Sequence, residues 1–94
     1  MDTYNEHRMA TRTELRSISG KKLAVGARQL KKALMAGKAK QVFLAEDADP
    51  AITEPIAALC RQHEAEAFWV QTMVDLGRAC GIEVGAAAAA AVEE

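Results

Sequence analysis

Apolar residues follow two spacings along this chain, and the change from one to the other divides it into strands and helices. Short apolar runs at 22–25, 40–46 and 67–70 indicate strands, and the continuous run 42–45 is typical of a strand covered on both faces. Between the runs, apolar residues recur every three or four positions, which predicts amphipathic helices. Helices are expected at 11–18, 26–36, 53–63 and 72–80.

Several helix boundaries carry their own chemistry. Asp49 is placed to cap the third helix, and Pro50 suits a first helical position. Because Pro55 lacks an N–H group, we expect a separate first turn at 50–52 and a regular helix only from residue 53. Thr72 is the expected cap of the fourth helix.

The alanine-rich segment 86–92 is ambiguous by local preference, since alanine is the best helix former. Its place after a helix, in a chain that otherwise alternates, argues for a strand. The order is then α-β-α-β-α-β-α-β, which predicts an α/β fold: a three-layer α-β-α sandwich with a mixed four-stranded sheet. Residues 11–94 form one domain in this interpretation, and the polar segment 1–10 is expected to be a mobile tail.

The composition indicates a surface on which basic and acidic residues are segregated. The 94 residues are 50% hydrophobic but only 4% aromatic, so the core must consist mainly of small and aliphatic side chains. The net charge is −1, yet ten lysines and arginines stand against one glutamate between positions 8 and 40, and acidic residues dominate afterwards. A basic first half is compatible with a nucleic-acid partner, because a local patch matters more than the net charge. No apolar stretch has membrane-spanning length, so no membrane partner is expected.

Catalytic and metal-binding interpretations have little support. Cys60 and Cys80 have no metal or redox spacing and lie in apolar surroundings, which indicates reduced, buried thiols in a cytoplasmic protein. Glu46, Asp47 and Asp49 resemble a carboxylate cluster, but loop and capping roles are favoured because no His or Cys is near. We therefore expect no enzyme activity, no cofactor and no small-molecule substrate, although an enzyme using Cys60 or the acidic loop stays a formal alternative.

The stretch 25–34 is the most distinctive part of the chain. A strand ends at Gly26 and a helix begins at once, with Arg28, Gln29 and Lys32 sharing the face opposite its apolar residues. Free N–H groups, a partial positive charge and long cations at such a helix start suit an anionic ligand. Alone, the pattern is more typical of an ordinary strand-to-helix turn with solvated side chains.

Two further segments favour the ligand-binding interpretation of this stretch. The pieces GARQLKK (26–32), AEDADP (45–50) and LGRACGIEVGAA (76–87) together resemble the family of kink-turn-binding ribosomal proteins, the L-seven-Ae / L-thirty-e family. The resemblance runs from about residue 21 to residue 92. It implies an α-β-α sandwich that binds kink-turns, which are sharply bent RNA duplexes with a three-nucleotide bulge beside sheared G·A pairs.

The family's opening-helix motif, Gly-x-Asn-Glu-x-x-Lys, is met here by Gly26 and Lys32, whereas Arg28 and Gln29 occupy its Asn and Glu positions. A basic residue followed by Gln resembles the bacterial branch of the family. Arg28 offers a donor fork that matches the O6 and N7 atoms of guanine, Gln29 can both donate and accept, and the lysines suit phosphates.

The resemblance implies RNA contacts in all three segments. Small and apolar residues of 82–86 fit the flipped-out bulge nucleotides, and Asp49 and Ile52 align near the same bulge. The predicted RNA-binding residues are Gly26, Ala27, Arg28, Gln29, Lys31, Lys32, Asp49, Ile52, Ile82, Glu83, Val84, Gly85 and Ala86. The implied partner is kink-turn RNA, in ribosomal RNA or a structured regulatory RNA, with the ribosome as its setting. The alternative from another class is a protein–protein interaction module on the same fold, motivated by the acidic second half.

Overall fold

A computed structural model describes residues 8–93, which form four helices and four strands in strict alternation. The predicted order of elements is therefore confirmed. The elements are α1 (Arg12–Arg16), β1 (Leu23–Val25), α2 (Ala27–Met35), β2 (Ala39–Ala45), α3 (Pro50–Gln62), β3 (Glu66–Val70), α4 (Met73–Cys80) and β4 (Ala88–Val92). Within the described range, no helix is both long and apolar enough to cross a membrane.

The four strands form one mixed sheet in the order β1-β4-β2-β3. β2 and β3 run parallel, whereas β4 lies antiparallel to both of its neighbours, β1 and β2. The last strand in sequence therefore occupies the interior of the sheet. Because parallel neighbours need a crossover connection, α3 joins β2 to β3 across one face of the sheet.

Each face of the sheet is covered by two helices, which confirms the predicted three-layer sandwich. On one face, buried residues of α2 and α3, including Leu30 and Ile56, pack against alternate strand residues such as Val42. On the other face, Leu76 of α4 and Ile18, which follows α1, pack against Phe43 and its neighbours. The Phe43 and Phe68 rings stack there with their centroids 5.4 Å apart.

The interior position of β4 explains why an alanine run forms a strand. Ala88 and Ala90 face the α2–α3 layer, and Ala89 faces the α1–α4 layer, all with no solvent-exposed surface. Both faces of this strand are covered, and small side chains let both helical layers approach the sheet closely. Pairing on both edges satisfies its backbone, and this outweighs the small helical preference of alanine.

Two predicted helices differ in extent. α3 is continuous from Pro50 through Pro55, so the expected break between a first turn and a regular helix is wrong. The bond that Pro55 cannot donate would have reached the carbonyl of Ala51, and both residues are exposed, so water can bind that carbonyl instead. α1 is shorter than predicted and ends before Ile18, although Ile18 is buried as expected.

Residues 8–10 are the described part of the segment predicted to be a mobile tail, and they pair with the edge of the sheet. The N–H of Trp69 donates to the carbonyl of Arg8 at 2.8 Å, and the N–H of Ala10 donates to the carbonyl of Trp69 at 2.8 Å. Met9 thus forms a parallel bridge with Trp69 along the outer edge of β3. The Arg8 guanidinium also lies 4.7 Å from the centroid of the Phe68 ring. The remainder of the predicted tail, 1–7, lies outside the described residues.

Candidate nucleic-acid interface

Strand register brings the three predicted segments to one end of the sheet. β1 ends beside the start of β4, where the Gly26 N–H donates to the Ala88 carbonyl at 3.0 Å. β2 ends beside the same strand, and the Ala45 N–H donates to the Ala87 carbonyl at 2.9 Å. The start of α2, the loop after β2 and the loop before β4 are therefore neighbours, although they are far apart in sequence.

The start of α2 differs from that of the other helices. Thr11, Asp49 and Thr72 each cap their helix with a side-chain oxygen, whereas α2 begins at Gly26 without a side-chain cap. Gly26 has φ 95° and ψ 155°, a conformation that is essentially restricted to glycine. The first N–H groups of α2 are thus left available for a ligand, at the positive end of the helix dipole.

Burial fixes which face of α2 is presented to solvent. Leu30, Ala33 and Leu34 are buried, and Ala27 packs against their cluster. Arg28, Gln29 and Lys32 are exposed on the opposite face as predicted, while Lys31 is half-buried at its border. A donor fork, an amide and a lysine therefore project beside the uncapped N–H groups.

The acidic loop serves the fold by capping helices. A side-chain oxygen of Asp49 accepts the Ala51 N–H at 3.0 Å at the start of α3. Asp47 accepts the N–H of Met73, the first residue of α4, at 2.8 Å and thus ties this loop to a distant helix. Capping roles are therefore confirmed for both aspartates. Among the described residues, no group of His, Cys, Asp and Glu could hold a metal ion.

The loop 82–86 is held against α4 by two glycines. A side chain at Gly77 would overlap the Val84 carbonyl oxygen, and a Cβ at Gly85 would lie 3.0 Å from the Met73 Cβ. The Ala86 N–H donates to the Met73 carbonyl at 3.0 Å and anchors the end of the loop. The backbone is thus fixed by close packing, in a way that only glycine at position 77 permits.

The tip of this loop presents an apolar surface to solvent. Val84 is 70% exposed, and Ile52 in the first turn of α3 is 39% exposed at the same end of the sheet. Glu83 and Gly85 are exposed as well, whereas Ile82 is half-buried and packs on the core. Two large apolar side chains therefore stand free where base contacts are predicted.

Ala86 is the one predicted contact residue whose side chain is buried. It is only 3% exposed and belongs to the core cluster between the sheet and the α1–α4 layer, so its side chain does not face the interface. The chain turns inward there to enter β4, so only the backbone of Ala86 is left to contact RNA, and its predicted contact stays a prediction.

Sequence reasoning missed the residues that position the loop. Gly77 lies inside a helix, where glycine is unfavourable by propensity, and that cost indicates a packing requirement. Asp47 offered no comparable indication, because its partner Met73 lies 26 residues away.

The two cysteines are poor nucleophiles in this fold. Burial raises the pKa of Cys60 to about 11, a shift that the neighbouring Arg61 charge reduces, and burial also raises the pKa of Cys80. Both thiols are free and stay protonated near neutral pH. The raised pKa therefore argues against Cys60 as a nucleophile.

Bacterial relatives share most of this chain. It is 43% identical over 68 residues to a protein of Bacillus pumilus (strain SAFR-032) named "RNA-binding protein", covering 72% of this chain and 83% of that protein. It is 42% identical over 69 residues to "RNA-binding protein YbxF" of Geobacillus stearothermophilus, covering 73% and 84% respectively.

Solved structures show the same fold. The "Giardia lamblia 15.5kD RNA binding protein" superimposes with a TM-score of 0.72 at 29% identity. The superposition covers 77% of this chain and 61% of the Giardia chain. A Bacillus halodurans protein described as having unknown function superimposes with a TM-score of 0.67 at 25% identity, over 73% of this chain and 69% of its own. The model of the Ribosomal protein L7Ae/L30e/S12e/Gadd45 family matches residues 9–94, and the chain belongs to this family.

Proposed function

We propose that this protein binds RNA and recognises kink-turns with the end of the sheet formed by the start of α2, the loop after β2 and the loop 82–86. The observation that carries the proposal is the uncapped start of α2, with Arg28 and Gln29 exposed beside its N–H groups. The relatives named as RNA-binding proteins favour the same partner.

Base recognition follows from the chemistry of the exposed α2 face. A sheared G·A pair leaves the O6 and N7 atoms of guanine accessible, and the guanidinium of Arg28 can donate to both atoms. Gln29 can donate to one base atom and accept from another. Lys32, with Lys31 beside it, supplies positive charge for the adjacent phosphates.

The bulged nucleotides require a different surface. Unstacked bases are commonly bound through their faces by flat or apolar protein surfaces. Val84 and Ile52 are exposed apolar side chains at this end of the sheet, and loop 82–86 holds Val84 on a tightly packed backbone. In this arrangement α2 reads the G·A pairs while the two apolar side chains contact the bulge.

Binding of this kind shifts an RNA equilibrium without a chemical step. Because the protein surface complements the bent conformation, each contact favours that conformation over the extended one. The ratio of kinked to extended RNA therefore rises to the extent that the protein binds the kinked RNA more tightly. Ribosomal RNA and structured regulatory RNA both offer such motifs, and we propose them as the natural targets, with the ribosome as one setting.

The test compares a labelled kink-turn RNA with a version whose sheared G·A pairs are replaced by Watson–Crick pairs. We expect tight binding to the kink-turn alone and an affinity that falls as salt rises. Equal binding to both RNAs, or binding to neither, contradicts the proposal, and binding to neither favours the protein–protein interaction module.

Three variants distinguish base recognition from charge. Arg28→Ala and Gln29→Ala should each reduce the discrimination between the two RNAs by about 1–3 kcal/mol, the value of a bidentate base contact. Lys32→Ala should lower the affinity for both RNAs similarly and make that affinity less dependent on salt. Lys40→Ala is the matched control, since this exposed lysine lies near the opposite end of β2 and should leave both affinities unchanged.

A further inference from the structure

A groove with a volume of about 1020 Å³ lies between α1 and α4 in the described part of the chain. Three arginines line it: Arg12 and Arg16 from α1, and Arg78 from α4. Leu15 and Ala79 add apolar surface, and Asp75 is the single carboxylate in its lining. The groove lies on the sheet face opposite α2 and α3, so it is distinct from the surface proposed above.

The positive charge of this groove is not used by the fold. Within residues 8–93, none of the three guanidinium groups forms an ion pair or a side-chain hydrogen bond. Glu14, the acid within α1, is already engaged by the Thr11 N–H at 2.9 Å and by Arg8 at 3.8 Å. Arg12 and Arg16 stand one helical turn apart, where like charges cost stability, in a protein of net charge −1. Three arginines against Asp75 leave the lining net positive, and a cleft of this kind concentrates anionic ligands.

The position of the groove relates it to the proposed kink-turn surface. It opens at Val70 and Gln71, at the same end of the sheet as the other segments, because the Glu46 N–H donates to the Val70 carbonyl at 2.8 Å. Loop 82–86 packs on the side of α4 that carries Met73 and Gly77, and Arg78 and Ala79 lie on its other side. Only the width of α4, about 10 Å, separates the loop from the groove.

We propose that the α1–α4 groove binds the backbone of an unpaired RNA strand that flanks the kink-turn and passes over α4. Arg12, Arg16 and Arg78 bind its phosphates, and the apolar surface of Leu15 and Ala79 accepts its sugars and bases. A duplex carries its phosphates on a convex surface that does not enter a groove between two packed helices, so the groove selects a single strand. This inference rests on the proposed function for its ligand, and its test separates the two.

The test compares a blunt kink-turn RNA with the same RNA carrying an unpaired extension of several nucleotides. The extended RNA should bind more tightly, and its advantage should depend on salt. Three phosphate contacts to a single strand add about −2 to the slope of log K against log salt, so the advantage should fall about 16-fold between 50 and 200 mM salt.

The double variant Arg12→Gln/Arg16→Gln should lose most of this advantage while it binds the blunt RNA like wild type. Both side chains are exposed and their like-charge repulsion is removed, so the melting temperature should equal or slightly exceed that of wild type. The control Lys38→Gln/Lys40→Gln removes the same charge at the opposite end of the sheet and should retain the advantage.

Each outcome bears on a stated proposal. If the extension confers no advantage while kink-turn selectivity holds, the groove proposal is overturned and the proposed function stands. An equal loss of affinity for both RNAs in the double variant also overturns the groove proposal, since the arginines then act on the kink-turn itself. If selectivity is absent but a free single-stranded oligonucleotide binds and loses affinity in the double variant, the groove proposal stands without the proposed function. If the oligonucleotide does not bind, both proposals fail.

Discussion

Gly77 offers the sharpest test of how packing positions the interface. Glycine inside a helix costs about 0.5–1 kcal/mol relative to alanine, so Gly77→Ala should stabilise α4 if local preference decided. The structure predicts the opposite, because the new methyl group would overlap the Val84 carbonyl oxygen and approach the Gly85 Cα at 3.1 Å. These are backbone atoms, so the clash cannot be relieved by turning a side chain.

The magnitude follows from the balance of the two effects. Extra volume in a well-packed site costs about 1–3 kcal/mol, which exceeds the gain in helix propensity, and we expect a net loss of about 1–2 kcal/mol. For a domain of this size, each kcal/mol lowers the melting temperature by about 4–8 °C. Loop 82–86 must move away from α4, so contacts of Val84 with a bulged base should weaken. We expect kink-turn affinity to fall about tenfold, within the ~1–3 kcal/mol that a base contact contributes.

Gly37→Ala is the matched control for this experiment. Gly37 ends α2 with φ +73°, and a Cβ there would meet open space. Alanine in this conformation costs about 1–2 kcal/mol, a similar loss of stability, but the site is remote from the interface. Unfolding and RNA titrations should therefore show two equally destabilised variants, of which only Gly77→Ala binds RNA more weakly. If Gly77→Ala is as stable as wild type, or binds RNA as well as Gly37→Ala does, the packing argument is wrong.

Three further predictions test individual contacts. Asp47→Ala should lower the unfolding free energy in urea by about 1 kcal/mol because the Met73 N–H loses its cap, whereas Asp47→Asn keeps an acceptor; equal losses would contradict capping. Burial raises the pKa of Cys60 to about 11, so the unfolded state loses its thiol proton at a lower pH than the folded state. The unfolding free energy should therefore fall as pH rises from 9 to 11. Cys60→Ala should show a shallower fall, and parallel pH profiles of the two proteins would refute the assignment. Val84→Ser should change stability by less than about 0.5 kcal/mol while weakening kink-turn binding, and an unchanged titration would exclude the loop contact.

Local chemistry in the sequence was enough to predict the alternation of helices and strands. The predictions of the buried face of α2, the cap at Asp49 and the cap at Thr72 were all correct, because each depends on residues within a few positions. The three segments of the candidate interface were also found, since their residue pattern resembles that of the family. The prediction of a break at Pro55 was wrong, because on the exposed side of a helix water can replace the hydrogen bond that proline does not donate.

Long-range packing decided what the sequence by itself left open. The alanine run forms a strand because its small side chains fit between two closely packed helical layers. The same packing buries the Ala86 side chain in the core, away from the interface. Asp47 reached Met73, and Gly77 admitted the loop 82–86, only after the chain had folded. Sequence patterns thus determined which residues share a face of a helix or strand, whereas strand order and close backbone packing decided which of those faces meet.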